Sequence, residues 1–224
     1  MGTEVDIERY HQIIEQLIPY NAQLVAVSKL KSINAIQQLY AEGQRDFGEN
    51  YVQEVCEKQL QFMSEVNWHF IGHLQSNKVK QIAPFVHLIH GIDSLKLLKE
   101  VNKQAESNGR IIDVLLQIHI SNEETKFGFS QEEFTEALSN DDFSSLKNIQ
   151  LRGLMGMASF TNDQQILKKE FVGLKKLFDE SKSTLINTTS FDILSMGMTN
   201  DYTLALDCGS TMVRIGSAIF GERK

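Results

Sequence analysis

The sequence predicts an α/β protein folded as a single closed (β/α)8 barrel, with an extra helix at its N-terminus. Three observations point there. Eight apolar runs of strand length recur along 224 residues, separated by segments of helical spacing, and most begin about 20 to 40 residues apart. Strict alternation of strand and helix demands a parallel sheet with right-handed crossovers. Runs such as Leu24-Val25-Ala26-Val27 are apolar on both faces, as strands are when helices cover a parallel sheet. A doubly wound open sheet satisfies the same alternation and stands as the alternative; closed barrels more typically run to ~250 residues. No linker, low-complexity tract or shift of composition divides the chain, so residues 1–224 read as one domain.

Each element has its own signal. Ile7, Tyr10, Ile14, Leu17 and Ile18 trace the stripe of the extra helix, which Pro19 breaks. The first strand is 24–27. Ser32 is an N-cap for a helix bearing Ile33, Ile36, Leu39 and Tyr40 that closes at Gly43. A short strand follows at 45–48, a helix at 50–62, and a third strand at 68–71, ending at Gly72. Residues 75–82 read as a short helix stopped by Pro84, and 86–90 as the fourth strand. Ser94 opens a helix to about Glu106, with Gly109 beyond it, and 111–120 is the fifth strand and longest apolar run. Ser130-Gln131-Glu132-Glu133 is a capping box for the next helix. The sixth strand is 151–157. Leu167, Phe171, Leu174 and Phe178, spaced i, i+4, i+7, i+11, mark a strong amphipathic helix. A seventh strand at 191–194, a short helix at 202–206 and an eighth strand at 212–215 complete the set.

Composition narrows the function. Lys and Arg number 22 against 29 Asp and Glu, a net charge of −7, which excludes a general binder of nucleic acid or anionic membrane but leaves room for one phosphate-sized basic pocket. The two cysteines, Cys56 and Cys208, lack metal-ligand spacing and are expected to be reduced thiols of a cytoplasmic protein. The N-terminal stretch has no apolar core of a signal peptide, and Asp6 stands where a myristoylation signal needs serine or threonine. No apolar run approaches the ~18 residues of a membrane span.

A barrel places its chemistry at the carboxyl ends of its strands. Those positions hold Ser28 and Lys29, Glu49 and Asn50, His73 and Gln75, Asp93, Lys126, Ser195-Met196-Gly197, and Arg214 to Ser217. A lysine desolvated there loses basicity, and its neutral amine can attack a carbonyl; alternatively, Lys29 simply ends its strand in water. Gly216-Ser217, with Ser195, falls where barrels hold phosphate on backbone N–H groups, though a tight turn would need the same small residues. Arg214, inside a strand, needs a partner: a bound anion, a cofactor atom or a carboxylate inside the barrel.

Seven segments carry a resemblance: AVSKLK (26–31), FGENYVQE (47–54), WHFIGHLQSNK (68–78), ISNEETKFGF (120–129), GLM (153–155), SMGMTND (195–201) and GSTMVRIGSAIFGER (209–223). In content and order they resemble the pyridoxal phosphate homeostasis proteins. That resemblance implies the barrel of alanine racemase (the type III fold of such proteins), with pyridoxal 5′-phosphate (PLP) held as a Schiff base. It puts Lys29 at the Schiff base, and Ser195, with Met196 beside it, and the backbone of Gly216 and Ser217 at the phosphate. It brings Arg214 to the ring nitrogen or the phosphate, and lines the pocket with Asn50 and His73. His119 stands where the family usually has asparagine, which could alter the pocket floor, and Ser159 where it often has proline.

The resemblance implies a non-catalytic protein that buffers PLP and delivers it to apo-enzymes by transient contact. A racemase needs an acid or base on each face of the substrate carbon. The sequence runs nine residues past Ile215, to Lys224, so the racemase's second, β-rich domain is expected to be absent and the protein monomeric. A weak PLP-dependent racemase, and a phosphosugar enzyme using Lys29 without PLP, stand as alternatives. Lys31 and Lys126 are either solvated lysines or second amines that help pass the cofactor on. The remaining histidines are read as holding no metal: His69 and His73 lie about 13 Å apart along a strand, and His87 and His90 on opposite faces of one.

Overall fold

The computed structural model describes residues 5–62, 65–121, 127–139, 143, 145–184 and 190–221. Helix α1 (Ile7–Leu17) comes first, capped by Asp6, whose carboxylate accepts from the Arg9 N–H at 2.9 Å. It buries Tyr10, Ile13 and Leu17, and the Asp6 N–H donates to the Ile219 carbonyl, tying the start of the chain to its end. The strands are β1 (Gln23–Val27), β2 (Asp46–Glu49), β3 (Asn67–Phe70), β4 (Leu88–Ile92), β5 (Ile112–Ile118), β6 (Ile149–Gly156), β7 (Ile193–Met198) and β8 (Met212–Ile215). Between and after them lie α2 (Ile33–Ala41), α3 (Val52–Gln59), α4 (Val79–Ile82), α5 (Leu95–Ser107), α6 (Gln131–Ser139), α7 (Gln164–Thr184), α8 (Tyr202–Asp207) and α9 (Ser217–Phe220).

Every neighbouring pair of strands is parallel, and β8 returns to β1 with Leu24 opposite Val213 and Val25 opposite Arg214. The sheet is therefore a closed barrel, and the open-sheet alternative is excluded. The capping signals hold: Ser32 Oγ accepts from the Ala35 N–H at 3.1 Å, and Ser94 Oγ from Leu97 at 3.3 Å. Ser130 and Glu133 exchange both bonds of the capping box, at 3.1 and 2.8 Å.

The strand alternation sorts the core into two layers. Val25, Leu88, Leu115, Met155, Ile193 and Met212 fill the barrel interior. Their sequence neighbours, Ala26, Ile89, Leu116, Leu154, Leu194 and Val213, face the helices, where Leu167, Phe171, Leu174 and Phe178 of α7 meet them as the spacing predicts.

Two strands start two residues later in the chain than expected. The fourth is Leu88–Ile92 rather than 86–90, and the seventh Ile193–Met198 rather than 191–194. Both continue through residues that read as loop, Gly91 in one and Ser195-Met196-Gly197 in the other. The neighbours explain it. A Cβ on Gly91 would stand 2.6 Å from the Gly72 carbonyl oxygen, and Gly197 adopts φ +94 and lies against Ala205 and Tyr202 of α8. Glycine is present here because backbones or helices approach closely, not because the strand stops.

Candidate functional site

The turn that carries Lys29 is built from three elements. Ser28 and Lys29 follow β1 directly, and the Lys31 N–H closes back on the Ser28 carbonyl at 3.0 Å. Between them Leu30 takes φ +61, a conformation that strains a side chain with a Cβ. Its N–H donates to Glu54 Oε1 of α3 at 2.6 Å. From the same helix, Lys58 Nζ donates to the Ser28 carbonyl at 2.7 Å, to Glu49 Oε1 at 2.8 Å and to Glu54 Oε1 at 2.6 Å. Ser28 Oγ completes the cluster by donating to Glu49 Oε1 at 2.5 Å. Ser28, Glu49 and Lys58 are all buried. Burial raises the Glu49 carboxyl above its ordinary value, while the charge and hydrogen bond of Lys58 and the bond from Ser28 pull the other way.

Lys29 opens into a cavity of about 200 Å³ at the carboxyl end of the barrel, which Lys31, Asn50, Arg214, Gly216 and Ser217 also line. The Asn50 Oδ1 atom is buried without a hydrogen-bond partner among the described residues. Arg214 comes up from within β8 and is buried. Its Nη1 donates to Ser195 Oγ at 2.6 Å and its Nη2 to the Gly156 carbonyl at 3.0 Å. Both acceptors are neutral. Burial lowers the guanidinium to about 10, opposed by the charge of Asp201, so it remains a cation at neutral pH. Gly216 lets β8 close on β1, since a Cβ there would sit 3.1 Å from the Val27 carbonyl oxygen. Ser217 then opens α9 at the cavity wall, and the first N–H groups of a helix have no acceptor within it.

These residues suit an anionic, carbonyl-bearing ligand. The cavity offers an amine, a buried cation bonded to neutral acceptors, and helix-opening amides. Five of the eight residues expected at the site, Lys29, Asn50, Arg214, Gly216 and Ser217, meet on one cavity.

The other three do not line it. Ser195 lies inside β7, fully buried, behind Arg214 rather than at the cavity surface. The extended strand is the reason: alternation sends Ser195 into the barrel and Met196 outward to the helices. His73 stands at the rim, stacked on Phe127 with ring centroids 4.0 Å apart and bonded through Nδ1 to Asp93 at 3.0 Å.

Other expectations also change. Lys31 is not a freely solvated amine, because its Nζ donates to the carbonyls of Phe220 and Gly221 at 2.8 and 3.2 Å. His119 lies in a separate groove of about 300 Å³ beside α7, away from the cavity it was expected to floor. Ser159 binds Glu170 of α7 through its N–H and hydroxyl, at 2.8 and 2.6 Å. Lys126 falls outside the described residues.

The sequence reading missed Ile71, Met157, Met198 and Thr199 on the cavity wall, and Glu54 and Lys58 behind it. The spacing of the last two, i and i+4 on the helix after β2, was the available signal.

The family profile described as alanine racemase, N-terminal domain, matches residues 6–224. The "Pyridoxal phosphate homeostasis protein" of Haemophilus influenzae is 43% identical over 204 residues, covering 90% of this chain and 85% of its own. PipY of Synechococcus elongatus PCC7942, solved with PLP bound, superposes with a TM-score of 0.86 at 33% identity, covering 96% of this chain and 99% of that one. The alanine racemase of Clostridium difficile, 15% identical, shares the fold, with a TM-score of 0.74, and is covered over 56% of its length.

Proposed function

The chain belongs to the family of pyridoxal phosphate homeostasis proteins, and on that footing we propose that it holds PLP in the cavity between Lys29 and Arg214, storing and delivering the cofactor without catalysis. The observation that carries this reading is the meeting of Lys29, Asn50, Arg214, Gly216 and Ser217 on one small cavity. When bound, PLP supplies an aldehyde that an amine can attack and a ring that withdraws electrons most strongly with its nitrogen protonated.

The residues divide the work of retention. The Ser28–Glu49–Lys58–Glu54 cluster holds the turn so that the Lys29 amine meets the ligand in one place. Gly216 and Ser217 offer amides to the phosphate, a role that Ser195, committed to Arg214, is not placed to share. Arg214 presents its cationic edge, and Asn50 lines the same cavity.

Arg214 also argues for storage over catalysis. A guanidinium only donates, so a ring nitrogen facing it must accept and carries no proton. A ring in that state is a weak electron sink. We take the protein to be a cytoplasmic monomer that meets apo-enzymes only transiently. A net charge of −7 argues against a general binder of nucleic acid or anionic membrane, and none of its described helices is long and apolar enough to cross a bilayer.

Titrating the protein with PLP while following visible absorbance tests retention: a new band is expected in the parent and none in Lys29→Ala. Proton exchange at the α-carbon of a panel of amino acids tests catalysis. Exchange no faster than with free PLP supports a carrier; faster exchange would make it a racemase-type enzyme.

A further inference from the structure

Five polar side chains cross the barrel in single file, one from each of five strands. Arg214 Nη1 lies 2.6 Å from Ser195 Oγ, and Ser195 Oγ lies 3.1 Å from His90 Nδ1. His90 Nε2 lies 2.9 Å from His69 Nδ1, and His69 Nε2 lies 3.0 Å from Asp46 Oδ1. His69, His90 and Ser195 are each no more than 1% exposed, in the interior that Val25, Leu88, Leu115, Met155, Ile193 and Met212 fill. Asp46 begins β2, at the amino end of the barrel, whereas Arg214 reaches the cavity at the carboxyl end.

The ends of the chain fix its direction. Arginine can only donate, and an ionised aspartate can only accept. Burial works to raise the Asp46 carboxyl, but the hydrogen bonds it accepts from His69 and Asn67 work against that, and the group is held below its ordinary value. Asp46 therefore takes a proton-bearing Nε2 from His69. With His69 taken as the Nε2 tautomer, its Nδ1 accepts and His90 carries its proton on Nε2. His90 Nδ1 then accepts from the Ser195 hydroxyl, whose oxygen accepts from Arg214. Burial first, and the nearby Arg214 guanidinium, lower the His90 ring well below its ordinary value and keep it neutral. Each proton has one place.

We propose that Asp46, His69, His90 and Ser195 form one proton-ordered chain that fixes the orientation of the Arg214 guanidinium, which makes all four positioning residues for the cofactor cavity. Two N–H groups of Arg214 are held by Ser195 and the Gly156 carbonyl, so the remaining edge is presented in a single orientation. The consequence for PLP rests on the proposed function; the chain itself does not.

The test is 15N NMR of the full-length, cofactor-free, EDTA-treated protein at pH 7. The expected result is that His69 and His90 are both neutral and protonated on Nε2 alone. Replacing Asp46→Leu should then scramble the tautomer of His90, two links away. In the PLP-loaded protein the same change should shift the absorbance band, and Asp46→Glu should restore it. A proton on His90 Nδ1, an imidazolium at either ring, or a His90 tautomer unmoved by Asp46→Leu would overturn the proposal. So would a His69 Nε2 proton that zinc displaces before chelation, since Asp46, His69 and His87 offer donor atoms within 4.8 Å of one another. A protein that shows the ordered rings but refuses PLP would sink the proposed function and leave the chain standing.

Discussion

The Lys58 ammonium donates to the main-chain carbonyl of Ser28 across 2.7 Å, so a helix that contributes nothing to the cavity wall holds the residue preceding Lys29. Removing one partner from a buried charge cluster typically destabilises by about 3–5 kcal/mol, because the remaining charges are stranded. Lys58→Met should lower the urea-unfolding free energy by that order, and the turn it releases should bind PLP more weakly. Glu54→Gln keeps an acceptor for the Leu30 N–H and should be milder on both measures.

Arg214→Met removes the cation while leaving an apolar side chain of similar length. A hydrogen bond to a charged group contributes about 1.5–3 kcal/mol, so PLP affinity should fall roughly 10- to 100-fold. Equilibrium titration checks this. An unchanged dissociation constant would mean that the guanidinium does not touch the ligand.

His90 gives a pH dependence of defined sign. Burial first, then neighbouring positive charge, lowers its folded-state pKa well below 6.5, so the unfolded chain binds its proton more readily. The stability it contributes is complete above about pH 6.5 and is lost as pH falls from there toward the folded value. The expected slope for this one group is at most about 1.4 kcal/mol per pH unit. Urea midpoints between pH 7 and 5 should therefore fall less steeply in His90→Gln than in the parent.

Gly72→Ala tests the rim. The added Cβ would stand 2.5 Å from the Asn50 carbonyl oxygen and 2.9 Å from its Cα, both backbone atoms with nowhere to move cheaply. Overpacking of this kind destabilises by about 1–3 kcal/mol, a loss of roughly 3–10 °C in Tm for a chain of this size. Because Asn50 lines the cavity, PLP affinity should drop as well.

The barrel was legible because its signals are local: apolar runs such as LVAV, the Ser32 and Ser94 caps, the Ser130–Glu133 box and the α7 stripe each act within a few residues. Lys29 and Arg214 were legible from their places at and within strand ends. Ser195 was not, since its role depends on β7 continuing past Leu194, and the glycine-containing SMGM stretch conceals that continuation. The link between His90 and Ser195 is invisible in sequence, because it joins β4 to β7 across the barrel rather than between neighbours. His73 followed its strand as read, but Asp93 and Phe127 hold it at the rim.

The most direct measurement is borohydride reduction of the PLP-treated protein followed by peptide mapping of the modified lysine. Modification should fall on Lys29, with loss of the visible band and none of either in Lys29→Ala. Label confined to other lysines, or a parent protein that remains colourless with excess PLP, would contradict the central claim that this amine holds the cofactor.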